Sequence, residues 1–282
     1  MAETAITVEE YGHFTALARE TAGDRLSLVA HTAFGTVAEN IAAMRVAEQE
    51  GADVILLSYP PQFWPTSEQE IYDWTKSICD ATNLGVILFP IPLWGFERVH
   101  PAGMSVDFVR KVIDTIPNVV AVKSEQGFPG IAGLCEMYHH FREEVVISCP
   151  IESDVIPLMS LMDIQFSGTS PTEWMSDYCP RAFDLARSGN WDEAMELFWK
   201  VSPARSASGA AHAAYAGGAG VLNRTMLKYQ GWLAGYNGGP LRAPALRVPD
   251  RLMKSLRAGL VASGLPVVDT PDSEFMVGRN PA

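Results

Sequence analysis

The chain has 282 residues, 48% of them hydrophobic and 19% charged, so it holds enough apolar material for a substantial core and is not globally disordered. Its 33 acidic and 21 basic residues give a formal net charge of −12, which disfavours nucleic acid or an anionic membrane as the main partner. No apolar run reaches the roughly 18 residues needed to span a bilayer, Met1-Ala2-Glu3-Thr4 carries no signal pattern, and the four scattered cysteines (Cys79, Cys135, Cys149, Cys179) fit a reducing cytoplasm rather than a disulfide scaffold or zinc site.

In chain order, Thr7 with Glu10 reads as the capping box of a first helix. Short apolar runs follow at Leu26–His31, Asp53–Tyr59, Gly85–Ile91, Asn118–Lys123, Glu144–Cys149 and Asp163–Gly168. Most are almost continuously apolar, as expected of strands buried on both faces. Between them lie helical patterns. Thr36–Glu50 places Val37, Ile41, Met44 and Ala47 near one face; Ser67–Ala81 does so with Ile71, Trp74 and Ile78, and Ser105–Ile116 with Val109, Val112 and Ile116. Strand–helix alternation at roughly 30-residue spacing predicts a parallel βα array. After Gly168 the alternation stops. Helices are predicted over Thr172–Arg187, Asn190–Val201, about Gly218–Ala234 and Pro249–Ser263. Ala204–Gly220, rich in Ala, Gly and Ser, reads as a close-packed helix junction, and the residues from Pro266 onward as a loose tail. This divides the chain into an α/β part over 1–188, a helical extension over 189–265 and a tail over 266–282.

Chemistry centres on one of the six lysines. Lys123 ends the run Val119-Val-Ala-Val-Lys, and strand C-termini of α/β barrels point into the active-site mouth. Burial there lowers an amine's pKa, and a neutral amine can form a Schiff base with a carbonyl compound. On position alone, a strand-end lysine whose ammonium simply reaches solvent is an equal reading.

Asn118-Val-Val-Ala-Val-Lys123 resembles the lysine strand of the dihydrodipicolinate synthase / N-acetylneuraminate lyase family. Gly51-Ala-Asp-Val-Ile-Leu-Leu57 resembles the family's "GAD-apolar" strand, Gly85-Val-Ile-Leu-Phe-Pro-Ile-Pro92 its "apolar-Tyr-Asn-x-Pro" strand, and the helical C-terminal region its three-helix extension. The resemblance runs from about Ala2 to Leu265. It implies an α/β fold of the (β/α)8 TIM-barrel type with a C-terminal helical extension, assembled as a homo-oligomer (dimer or tetramer). It implies class I aldolase-type chemistry on pyruvate or another 2-oxo acid through Lys123. No metal or organic cofactor is implied, because the iminium itself is the electron sink.

The sequence departs from the family pattern in two places. The family's catalytic tyrosine, which relays protons, is matched by Phe89, which cannot exchange one. Tyr59 and His31, ending two neighbouring strands, are candidate replacements; Tyr59 reads more readily as an ordinary lining aromatic, and His31 at least as readily as a packed or hydrogen-bonded histidine. The family's Gly-Thr-Thr-Gly-Glu segment, which helps hold the substrate carboxylate, is matched only at its last residue, Glu3. Six predicted strands also fall short of the eight that close such a barrel. We therefore expect the natural protein to carry an upstream extension of roughly 40 residues, somewhat more than one βα unit.

Substrate-binding candidates line the same mouth. Phe89 would line it directly. Arg98 could meet a carboxylate in bidentate fashion or form a surface salt bridge. Phe63, Trp64, Trp94 and Phe96 suit either a bulky substrate or packing between subunits. Ser148 and the Ser167-Gly168-Thr169 segment would supply small residues and backbone groups, with Cys149 a buried small residue. Glu125 is either an acid–base group or a solvated loop carboxylate. The expected function is a Schiff-base-forming lyase (aldolase, synthase or dehydratase) acting on a 2-oxo acid, and the alternative is a catalytically impaired barrel serving as a binding or assembly protein.

Overall fold

The computed structural model describes residues 6–60, 62–125, 130–168, 173–219, 224–242 and 247–279. They form two compact units, one comprising Met1–Pro150 with Ile164–Gly168 and the other Ile151–Asp163 with Thr169–Ala282.

The first unit opens with α1 (Val8–Ala22), whose start is the expected capping box: the Thr7 hydroxyl accepts from Glu10 N–H at 3.1 Å and Glu10 accepts from Thr7 N–H at 2.9 Å. Strands and helices then alternate as β1 (Val29–Thr32), α2 (Val37–Gln49), β2 (Val54–Leu57), α3 (Glu68–Cys79), β3 (Gly85–Leu88), α4 (Val106–Thr115), β4 (Val119–Lys123), α5 (Ile131–Phe141) and β5 (Val146–Ser148). Thr36, Ser67 and Ser105 cap α2, α3 and α4, each hydroxyl accepting from the backbone N–H three residues on, so every one of these helices begins where its sequence pattern begins. Asn40, buried in α2, bonds both the N–H and the C=O of Phe34 and so fixes the turn that leaves β1.

The strands are parallel and ordered β1-β2-β3-β4-β5, each beside its sequence predecessor. That sequential winding belongs to a barrel-type sheet; a doubly wound sheet reverses its order partway. One register row, Ala30, Ile55, Val86 and Val119, is buried beneath the helices. The other face is more open: Val29 is 48% exposed and Val120 43%. The register between β3 and β4 shifts after Val86, leaving Val120 as an extra residue. Gly85 makes room for it, since a Cβ there would sit 2.8 Å from Val120 Cγ2.

The sixth apolar run corrects the sequence expectation. Residues 164–168 form no strand ladder. Two hydroxyls hold the segment beside β5 instead: Ser148 Oγ donates to Phe166 O and Ser167 Oγ to Cys149 O, both at 2.9 Å.

The second unit is helical among its described residues: α6 (Glu152–Leu158), α7 (Tyr178–Arg187), α8 (Trp191–Lys200), α9 (Ser202–Ala219), α10 (Arg224–Leu233) and α11 (Asp250–Ala262). The small-residue stretch expected to be a junction is the helix α9, and it packs tightly on α11. A Cβ on Gly259 would lie 2.7 Å from Ala207 Cβ and 3.1 Å from Pro203 O. The tail is docked rather than loose. Phe275 is buried against Tyr229 and Trp232, and Asp272 accepts from Tyr229 Oη (2.7 Å) and Arg257. Gly239 N–H also donates to Phe275 O at 2.7 Å. None of the helices among the described residues is long and apolar enough to cross a membrane.

Candidate active site

The C-terminal strand ends of the first unit bring several sequence-predicted residues together. Along the open face the register row His31, Leu56, Ile87, Ala121 and Val146 is followed by Lys123 opposite Ser148. Period-two alternation therefore puts Lys123, Ser148 and His31 on the face away from the helices. Lys123 Nζ lies 3.9 Å from the centroid of the Phe89 ring, and the His31 ring meets Phe89 edge-on at 6.4 Å. Gly168 closes the other side: a Cβ there would fall 3.2 Å from Lys123 Cε, so glycine leaves the lysine stem its space. Thr169 lies outside the described residues.

Two forces act on the amine. Burial lowers the Lys123 pKa, while the nearby Glu125 charge raises it, and burial is the larger effect. The Phe89 ring face also favours the ammonium form through its quadrupole. Burial raises the Glu125 carboxyl in turn, only partly offset by Lys123. Both groups are thus pushed toward their uncharged forms. Lys123 and Glu125 are both half-buried and act on each other electrostatically.

Other candidates are placed elsewhere. The Tyr59 hydroxyl bonds Thr75 Oγ1 on α3 at 2.6 Å, and its ring packs among Phe63, Trp74, Trp94 and Phe96. It is buried in this helix-side aromatic cluster, and burial raises its pKa, so it is no substitute for the family tyrosine. Arg98 stacks on the Trp64 ring at 3.6 Å and donates to the carbonyls of Gly95 and Phe63, which occupies its fork between its own loop and the loop after β2. Neither a bidentate carboxylate site nor the alternative surface salt bridge is what this geometry builds. Ser148 is buried with its hydroxyl committed to Phe166 O, so it supports the wall of the site. Trp94 Nε1 donates to Phe89 O at 2.6 Å and anchors the strand end under the lysine. Sequence reasoning had no signal for that bond, because it crosses an irregular turn. No cluster of three or more His, Cys, Asp or Glu fit to hold a metal occurs among the described residues.

Known proteins carry the same architecture. The structure of dihydrodipicolinate synthase from Aquifex aeolicus superposes with a TM-score of 0.75 at 19% identity, covering 95% of this chain and 85% of that one. A prophage protein of the dihydrodipicolinic acid synthase family from E. coli K12, solved in complex with pyruvate, gives 0.75 at 16% identity over 93% and 83% of the two chains. At such identities the likeness establishes the barrel-type fold. In sequence, 4-hydroxy-tetrahydrodipicolinate synthase of Persephonella marina is 28% identical over 202 residues, 70% of this chain, and the match spans 65% of that relative's length. The dihydrodipicolinate synthetase family model matches residues 3–198, which include every strand and the lysine itself. With the family pattern running through the sheet that presents Lys123, the chain belongs to the dihydrodipicolinate synthetase family.

Proposed function

We propose that this protein is a Schiff-base-forming lyase acting on pyruvate or another 2-oxo acid through Lys123. One observation carries the reading: the amine is half-buried at the end of a central strand, 3.9 Å from an aromatic ring, with its pKa lowered by burial. An amine so placed holds a larger neutral fraction near pH 7 than an exposed lysine, and the neutral amine is the nucleophile. Gly168 keeps the approach to the lysine stem narrow but unblocked. The iminium formed with a 2-oxo acid withdraws electrons from the adjacent carbon, which permits cleavage, condensation or dehydration there. Pyruvate is the first compound to try, since the E. coli family member was solved with it.

Incubation with pyruvate or 2-oxobutyrate followed by borohydride should give a reduced adduct, located on Lys123 by peptide mass spectrometry. Lys123→Ala should abolish it. Absence of an adduct across a panel of 2-oxo acids would overturn the proposal and leave a barrel that binds without catalysing.

A further inference from the structure

We propose that Glu125 is the proton-transfer group for the Lys123 imine, doing the work that Phe89 cannot. This rests on the Schiff-base reading of Lys123. The geometry begins in the backbone. Past the end of β4, Ser124 N–H donates to Ser148 O at 3.0 Å and Glu125 N–H donates to Pro90 O at 2.9 Å. The ladder thus continues for two residues, first toward β5 and then toward the residue that follows Phe89. Extended backbone with alternating partners keeps the period of two, so Glu125 shares the face of Lys123. Two residues of strand separate their Cα atoms by about 6–7 Å, within the reach of two long side chains.

The neighbouring groups single out this carboxyl. Among the described residues, the titratable groups at these strand ends include Lys123 on β4, His31 on β1, Tyr59 after β2, Cys149 after β5 and Glu125 itself. The His31 ring meets the Phe89 ring edge-on at 6.4 Å. Tyr59 is spent on Thr75. Glu125 and Lys123 act on each other electrostatically, and burial favours the carboxylic acid of one and the free amine of the other. Those are the forms that imine formation starts from.

The steps balance. The Lys123 lone pair attacks the C2 carbonyl carbon, a C–N bond forms, the C=O π pair moves to oxygen, and one proton passes from nitrogen to that oxygen to give a carbinolamine. Glu125 then donates its proton to the carbinolamine hydroxyl, which leaves as water while the nitrogen lone pair forms C=N⁺. The resulting Glu125 carboxylate takes a proton from C3, the C–H pair forms the enamine double bond, and the carboxylic acid is restored. The sum is 2-oxo acid plus amine giving enamine plus water, with no other reactant.

The test uses the full chain with pyruvate in D2O. C3 exchange is followed by NMR, and the borohydride adduct by mass spectrometry. Glu125→Gln should slow C3 exchange by about 100-fold or more, the usual yield of a positioned acid–base group, with an unchanged circular dichroism spectrum. Glu125→Ala should be equally slow and should recover exchange when formate is added, a rescue that a purely structural role does not give. Exchange at the unaltered rate in a folded Glu125→Gln, or no rescue of a folded Glu125→Ala, overturns the assignment of Glu125 while a Lys123 adduct in the unaltered chain leaves the Schiff-base reading standing. No adduct in the unaltered chain overturns both.

Discussion

At the scale of single residues the site is a contest over one proton. Burial pulls the Lys123 amine toward neutrality, and the Phe89 ring and the Glu125 charge oppose it. Because burial depresses the pKa below the ordinary 10.5, the rate of imine trapping should rise with pH and level off earlier than it does for an exposed lysine. Phe89→Leu removes the ring face that favours the ammonium, an effect of roughly 0.5–2 kcal/mol. The midpoint of the trapping profile should then move down by about 0.4–1.5 pH units. An unmoved midpoint would mean the ring contributes packing alone. The sequence made Lys123 visible because it closes an unbroken apolar run. It left Glu125 open because a ladder that outlasts its strand has no signature in residue type. Tyr59 stays open between two readings in the sequence for a related reason. It lies two positions past β2, where alternation no longer fixes the face, and a buried Thr75 on the following helix decided the matter.

At the scale of elements, capping residues and apolar runs locate the start of α1, helices α2 to α4 and strands β1 to β5 to within a few residues. The exception is the run at 164–168. Alternating polar and apolar residues there look like a strand, yet ladder formation needs amide partners, and serine hydroxyls supply the ties instead. The α9–α11 crossing is the converse case: a composition rich in Ala, Gly and Ser suggested close packing without revealing one continuous helix. Gly259→Ala tests how closely the helices meet. Alanine improves helix propensity by about 1 kcal/mol, but its Cβ would press on Ala207 and on the Pro203 carbonyl, neither of which can swing away. Overpacking of about 1–3 kcal/mol should win, lowering the denaturant midpoint. A raised midpoint would show that the helices separate freely.

At the scale of the whole molecule, the second unit depends on its own C-terminal segment. Phe275 fills a core with Tyr229 and Trp232, and Asp272 links Tyr229 to Arg257. Phe275→Ala should destabilise this unit by about 3–5 kcal/mol, seen as a lower melting temperature and faster proteolysis of the segment from Pro266. Unchanged melting would mean the tail is dispensable. Nothing in the sequence marked that anchor, since a lone aromatic in a polar stretch has no periodicity to read. The first unit shows the opposite arrangement, a folded sheet with apolar side chains of Val29 and Val120 in contact with water. Environment-sensitive dyes that brighten on apolar surface should therefore bind the native protein. A bright signal before heating would be a property of the folded sheet, and melting curves recorded that way would begin from a high baseline that must not be taken for unfolding.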